Sequence, residues 1–421
     1  MKKLFLILLL LSNYSIFAKN KVTLEEAIDL AYKNNYKFKN IQIENNNIEL
    51  EKNQAYKEAL PYISYRGTYI TTDEENQVDL MDGTMTDQGF FHEISLNQPI
   101  YNGGMIVSNI KIADIFKEIG DHRLMEEKSR LKLAVITKYS QIVGQKHIIR
   151  VYEEAVEEVE FSYRKAQREL ELEYISNADY LPLKSSYIDS KLKLSEAKNQ
   201  LKIYLIEFEN LLGLSPYEQT DVEEIKPEKY SIETIDLKDD LETALENSRE
   251  SKIINLDREI TEERKNVARA DLLPEVNAKL AYNADDRHFN SSGNKWYWTT
   301  GIEINWRLFD FGKNYDSYSE AKNEVKKAEN KRMMELNDLE VKIRRNYIEL
   351  IKTSDALKSQ DAKLEATQEN FRLQKKLYSQ GQISTIEYLI YENQLNNSKL
   401  SLIQANLNYY IAYEKYREDL K

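Results

Sequence analysis

The sequence predicts a mainly α-helical fold with a transmembrane β part, built from two structural repeats in each chain. Three observations support this prediction. Matching segments recur about half a chain apart, two long polar stretches contain no proline, and four short segments alternate between apolar and polar residues.

The chain begins with the features of a secretory signal peptide. Two lysines precede an apolar run from Leu4 to Leu11, which is too short to span a bilayer as a helix, and the segment ends on the small residue Ala18. We therefore assign residues 1–18 to a cleaved signal. Its removal takes away two positive charges, so the formal net charge falls from −12 to −14. An acidic chain of this kind is not expected to bind nucleic acid.

The mature sequence contains two copies of one unit. Three pairs of segments correspond: 175–181 with 383–389 and 99–104 with 307–312, both at an offset of 208, and 60–61 with 273–274 at an offset of 213. Self-similarity at this scale indicates duplication of a large unit. We predict repeat 1 over residues 19–214, a linker over 215–239 and repeat 2 over 240–421.

Each repeat is predicted to run helix, strand, turn, strand, long helix, turn, helix. Thr23 to Glu26 forms a capping-box pattern that opens the first helix, which is expected to continue to Leu60 and end before Pro61. The stretches 102–172 and 312–379 contain no proline. Each therefore predicts a helix of about 68 residues, on the order of 100 Å long.

Four segments have the alternating pattern of β-strands with one apolar face: about 62–72, 90–101, 275–287 and 296–309. The last alternates most clearly and carries Trp296, Trp298 and Trp306 near the ends of its apolar face. A transmembrane barrel strand with a lipid-facing aromatic belt would have this pattern. Two amphipathic hairpins packed on a soluble core are the alternative.

The number of strands limits how such a sheet can lie in a membrane. Four strands cannot close a barrel, because even eight leave only a filled interior, and an open sheet edge is not tolerated in lipid. Several chains would therefore share one barrel, and three chains would supply about twelve strands. The polar segments 72–89 and 287–295, which join the paired strands, are expected to face outside the cell.

The ordered set of these features resembles the TolC family of outer-membrane efflux proteins over essentially the whole mature chain. The residues that carry the resemblance are 23–28 with 34–35, the Leu-Pro pairs at 60 and 273, the joints 101–104 and 309–312, and 381–384 running into Glu387. The resemblance implies a homotrimer in the cell outer membrane. Its 12-stranded β-barrel would continue into a long periplasmic α-helical barrel, with most of each chain in the periplasm.

The function implied by the resemblance is a passive exit duct of a tripartite efflux or type I secretion system. It would be opened when a periplasmic adaptor (membrane fusion) protein and an inner-membrane transporter dock. The alternative left open is a periplasmic helical scaffold or adaptor protein without a membrane barrel. The sequence does not specify whether the cargo is a drug, a metal ion or a protein.

The resemblance also implies a gate at the periplasmic helix tips. It places Asp179 and Glu387 at the narrowest point, where threefold repetition would gather like charges that attract cations. Both acids also fit a plainer role as the N3 residues of capping boxes begun by Ser176 and Ser384. Where the family pattern has a further acid one turn later, this chain has Ile390, so a weaker ring is expected.

The turn before each tip differs between the repeats. Gly381 breaks the second long helix, because glycine tolerates the left-handed turn conformation. Glu173 stands at the corresponding place in repeat 1. This departure argues against a shared tip conformation.

The sequence shows no constellation for catalysis. Its four histidines are scattered, it contains no cysteine and it has no glycine-rich phosphate loop. We expect no enzyme activity, no metal site and no cofactor. The energy for transport would have to come from a partner.

Overall fold

The computed structural model describes residues 21–73, 78–80, 85–86, 88–215, 220–224, 232, 235–286 and 296–421. The predicted signal peptide, about half of the predicted linker, the predicted outer segment 287–295 and half of the segment 72–89 lie outside the described residues. Two compact units are found, one within Met1–Ile41, Met125–Ser248 and Leu339–Lys421, the other within Gln42–Leu124 and Arg249–Asp338. Each unit draws on both predicted repeats.

The helices occur in two matching series. The first comprises α1 (Leu24–Asn34), α2 (Tyr36–Lys57), α3 (Met105–Glu171) and α4 (Asn177–Leu211). The second comprises α5 (Leu237–Asn247), α6 (Arg249–Ala270), α7 (Lys313–Ser379) and α8 (Thr385–Asp419). The long helices α3 and α7 have 67 residues each, and α4 and α8 have 35 each. The two predicted long helices are therefore present with nearly the predicted length.

The prediction of one continuous first helix is wrong, because the helix is divided at Asn35. Asn35 has an extended conformation, with ψ of 118°, and its side-chain oxygen accepts a hydrogen bond from the Phe38 backbone N–H at 3.0 Å. It thus ends α1 and caps α2. Ser248 ends α5 in the same way, with ψ of 153°.

The main sheet consists of β2 (Tyr62–Thr71), β5 (Gln88–Asn102), β7 (Glu275–Asp286) and β8 (Tyr297–Asn305). It is antiparallel, and its strand order is β2-β5-β7-β8. All four predicted strands are present, although β8 ends four residues before the predicted bound. Shorter strands pair elsewhere: β1 (Lys21–Val22) with β6 (Asp221–Val222), and β3 (Val78–Asp79) with β4 (Met85–Thr86).

Two hydrophobic cores of the first unit occupy matching places in the two series. In one, Val135, Ile142 and Phe208 are buried against α1. In the other, the residues 208 positions later, Ile343, Leu350 and Tyr416, are buried against α5. Equal helix lengths and equivalent core positions are what two copies of one unit would produce.

The parallel strand pair β1–β6 is fixed to α3 by polar contacts. The Tyr139 hydroxyl lies 2.9 Å from the Val22 carbonyl oxygen and 2.8 Å from that of Glu223. Lys146 donates to the Asp221 carboxylate at 2.6 Å and to the Val222 carbonyl at 2.8 Å. Burial raises the pKa of Tyr139 to about 12, so the hydroxyl keeps its proton at neutral pH.

Candidate functional site

The turn that follows α7 has the conformation expected for glycine. Gly381 has φ of +74°, in the left-handed region. The Gln382 N–H donates to the Leu377 carbonyl at 3.0 Å, and the Gly381 N–H donates to the Tyr378 carbonyl at 3.0 Å. These bonds satisfy carbonyl groups that the end of a helix would otherwise leave unpaired.

The turn that follows α3 has the same conformation, so the expectation of a different tip in repeat 1 is wrong. Glu173 has φ of +61°, and the Tyr174 N–H donates to the Glu169 carbonyl at 2.8 Å. The left-handed conformation costs a residue with a side chain roughly 1–2 kcal/mol. The closing hydrogen bonds and the helix that follows impose the turn in spite of this cost.

Glu387 lies in the predicted capping box at the start of α8. Its carboxylate accepts from the Ser384 backbone N–H at 2.8 Å and from the Ser384 hydroxyl at 2.9 Å. The Ser384 hydroxyl oxygen in turn accepts from the Glu387 N–H at 3.2 Å. The bond from the Ser384 backbone is the main reason that the pKa of Glu387 lies below its usual value. Glu387 is therefore a charged, exposed residue on a well-fixed turn.

Asp179 lies at the equivalent place on α4, but the capping box predicted there is wrong. The Ser176 side chain accepts no capping hydrogen bond; its hydroxyl instead donates to the Asp179 carboxylate at 2.8 Å. Aspartate is one methylene shorter than glutamate, and the carboxylate engages the hydroxyl rather than the backbone N–H of Ser176. Asp179 is consequently held by fewer bonds than Glu387.

Both tip turns rest on one hydrophobic cluster in the first unit. Ala166, Leu183, Tyr388 and Leu389 are its buried members. The ring of Tyr388, next to Glu387 in the chain, is fully buried and stacks on Tyr378 with centroids 4.4 Å apart. This packing fixes the backbone that carries Glu387.

Sequence reasoning missed a pair of carboxyl groups behind this cluster. Glu392 of α8 is buried, with 4% of its surface exposed, and the charge of Glu158 of α3 acts on it. Neither residue lies in a recognisable motif. The only signal in the sequence is that Glu392 follows Tyr388 and Leu389 on the inward side of the helix.

The predicted apolar face of the sheet exists as continuous cross-strand rows. One row joins Ile63, Leu96, Leu280 and Thr300; the next joins Tyr65, Ile94, Tyr282 and Trp298. The aliphatic and aromatic side chains in these rows are at least partly exposed, and Ile302 and Ile304 are 68% and 66% exposed. The sheet therefore presents a broad apolar surface that the described residues leave exposed.

The three tryptophans lie at or beside the ends of β8. The Tyr282 ring lies 4.7 Å from that of Trp296 and 4.6 Å from that of Trp298. At the other end, the Trp306 indole N–H donates to the Leu272 carbonyl at 3.2 Å. Each tryptophan keeps at least two-fifths of its surface exposed.

The opposite face of the sheet is polar and internally hydrogen-bonded. Lys279 of β7 pairs with Glu93 of β5 at 2.7 Å. The Ser64 and Ser95 hydroxyls lie 3.0 Å apart, and Asn283 donates to the Thr299 hydroxyl at 2.9 Å. The two faces thus differ in character as the alternation predicted.

Within the described ranges, no helix is both long and apolar enough to cross a bilayer. Over those same residues, no cluster of three or more His, Asp or Glu side chains is arranged to hold a metal ion. His288 lies outside the described residues.

Residues 241–417 match the model of a family described as outer membrane efflux protein. No curated protein sequence matches the chain. The crystal structure of the CmeC outer membrane channel of Campylobacter jejuni is similar with a TM-score of 0.82 at 16% identity, covering 94% of this chain and 85% of that one. The outer membrane protein VceC of Vibrio cholerae gives 0.79 at 12% identity, covering 94% and 95%. A membrane protein of Pseudomonas aeruginosa gives 0.81 at 14% identity, covering 94% and 90%.

Proposed function

We propose that three copies of this chain form a passive exit duct, because residues 241–417 match the model of the outer membrane efflux protein family. The family assignment confirms the resemblance to TolC proteins found in the sequence. It also confirms the outer membrane as the location and efflux as the function. The alternative of a periplasmic scaffold without a membrane part is not favoured.

The observation that carries the proposed trimer is the pair of free sheet edges. In the order β2-β5-β7-β8, the strands β2 and β8 each have one neighbour among the described residues. A free edge exposes unpaired backbone groups, which lipid does not tolerate. Pairing β8 of one copy with β2 of the next satisfies both edges, and three copies close a barrel of about twelve strands with its apolar rows facing lipid.

The tip turns supply the proposed gate. Three copies would bring three Glu387 and three Asp179 carboxylates toward one axis, where they would attract cations and resist close approach to each other. Glu387 is held in place more firmly than Asp179, since its turn is capped and rests on buried Tyr388. Asp179, with its single serine contact, is the more adaptable member.

The partners follow from the same assignment. We propose that a periplasmic adaptor docks on the helical part and that an inner-membrane transporter supplies the energy. The chain itself carries no phosphate-binding loop, and we propose that it catalyses no reaction.

The trimer is tested by native mass measurement and by crosslinking in lipid. Three chains per particle are expected. A particle that remains a stable monomer in lipid would contradict the proposal, because its sheet would keep two open edges.

The gate is tested by single-channel recording of Glu387→Gln. Glutamine can still accept the hydrogen bond from the Ser384 N–H, so the variant removes the charge and keeps the cap. We expect lower cation selectivity and weaker block by multivalent cations, with a further loss on adding Asp179→Asn. Glu369→Gln is the matched control, since Glu369 is an exposed acid of α7 already paired with Arg372 at 2.7 Å. If Glu387→Gln selects like the parent, the residue is only a cap.

A further inference from the structure

A buried acid joins the two helical hairpins behind the tips. Glu392 of α8 is 4% exposed, and its Oε1 accepts no hydrogen bond from any described residue. Glu158 of α3 accepts from Lys375 of α7 at 2.7 Å and from the Tyr388 hydroxyl of α8 at 2.7 Å. Three helices therefore meet at two carboxyl groups and one lysine.

The charges at this junction are balanced only while Glu392 is neutral. Burial, and then the negative charge of Glu158, raises the pKa of Glu392 to about 8, although Lys375 acts in the opposite direction. Ser162 of α3 and Tyr388 are the other polar groups here, and burial also keeps the Tyr388 hydroxyl protonated by raising its pKa. The α4 neighbour is the apolar Leu183. Lys375 then matches Glu158, and Glu392 carries the extra proton.

We propose that Glu392 and Glu158 form a proton-operated latch that holds α3 against the α7–α8 hairpin. With its proton, Glu392 packs as a neutral side chain. Without it, the buried carboxylate of Glu392 and that of Glu158 share one lysine, and the contact between the hairpins loosens. This inference concerns packing within one chain and does not depend on the proposed duct.

The sign and size of the pH effect follow from linkage. An exposed carboxyl of this type titrates near 4.5, and Glu392 in the closed packing titrates near 8. The closed form therefore holds a proton that the opened form releases, so it loses stability as pH rises between these values. The opening constant should rise about tenfold per pH unit in that window and level off above it.

The experiment measures amide hydrogen exchange of the full chain in detergent at pH 6, 7, 8 and 9. Rates in α3 near Glu158 and at the start of α8 are divided by those of Glu392→Gln at the same pH, which removes the intrinsic pH dependence of exchange. The ratio should rise about tenfold from pH 6 to 7 and only about twofold from pH 8 to 9.

The matched control is Glu154→Gln. Glu154 also links α3 to α8, through Lys399 at 2.6 Å, but its side chain is 64% exposed. This variant should keep the slope of the wild-type chain. A ratio that stays constant across the range, or an equal loss of slope in Glu154→Gln, overturns the proposal.

A second variant covers the case in which Glu392→Gln does not fold. Removing the neighbouring charge in Glu158→Gln should lower the pKa of Glu392, so the opening constant should stop rising at a lower pH. An unchanged inflection would refute the latch.

Discussion

Replacing Ile302 with arginine is the sharpest test of which face of the sheet meets lipid. The strand β8 has nine residues, and Ile302 is the sixth, one residue from its centre. At about 3.4 Å per residue and a tilt of about 40°, nine residues rise about 23 Å, close to the apolar band of a barrel. In the proposed barrel, Ile302 is therefore expected near the bilayer midplane, where an arginine costs about 2–4 kcal/mol.

The matched control places the same arginine on the opposite face, as Glu303→Arg. That side chain would enter the polar interior beside Asn305, so we expect a change within about 0.5 kcal/mol. Folding of both variants into lipid vesicles is followed in a urea gradient, and the midpoints are compared. If the two arginines destabilise the protein equally, the sheet does not have one lipid face and the barrel argument fails.

Further predictions concern backbone turns and a charged cap. Gly381→Ala should destabilise the chain by about 1 kcal/mol in urea unfolding. The cost comes from the backbone conformation alone, because φ is +74° and an added Cβ would meet nothing within 4 Å. Glu173→Gly should stabilise the chain by a similar amount, and the absence of a gain would show that the turn at Glu173 is unstrained. Gly103→Ala should lower thermal stability more than Gly104→Ala, since only the Cβ of the former would lie 2.6 Å from a backbone oxygen; equal losses would contradict this. The pKa of Glu387 is lowered, so its carboxylate should stabilise the tip above about pH 4.5 and lose this effect on further acidification. Amide exchange at the start of α8 should therefore become faster as the pH falls below that value. Exchange rates that do not change with pH, after correction for the intrinsic rate, would refute the cap.

Much of the fold was predictable because long helices and amphipathic strands leave periodic signals. The proline-free stretches predicted the ends of α3 and α7 within a few residues. The alternation around Ile302 assigned the two faces of β8 correctly, since side chains in a strand must point to opposite sides in turn. These features depend on local sequence alone.

The errors lie where distant contacts decide the local conformation. Asn35 divides the first helix with help from its side-chain N–H, which donates to the Leu211 carbonyl at 2.8 Å. The Glu158–Glu392 pair was invisible for the same reason, as the two residues come together only when α3 and α8 pack. Glu173 is a different case, because the hydrogen bonds that close its left-handed turn are local and outweigh the preference of a residue with a side chain.

Because the paired helices have equal lengths, the number of residues in each helix determines where its tip lies. Deleting one residue from a 67-residue helix such as α7 would draw its tip back by about 1.5 Å and turn it by about 100°. The corresponding helix α3 would be unchanged, so the two tip turns would no longer match. A helix keeps the same side chains facing its neighbour only when about 7 or 11 residues are added or removed. Natural relatives and engineered variants should therefore lengthen or shorten both helices together, in such steps.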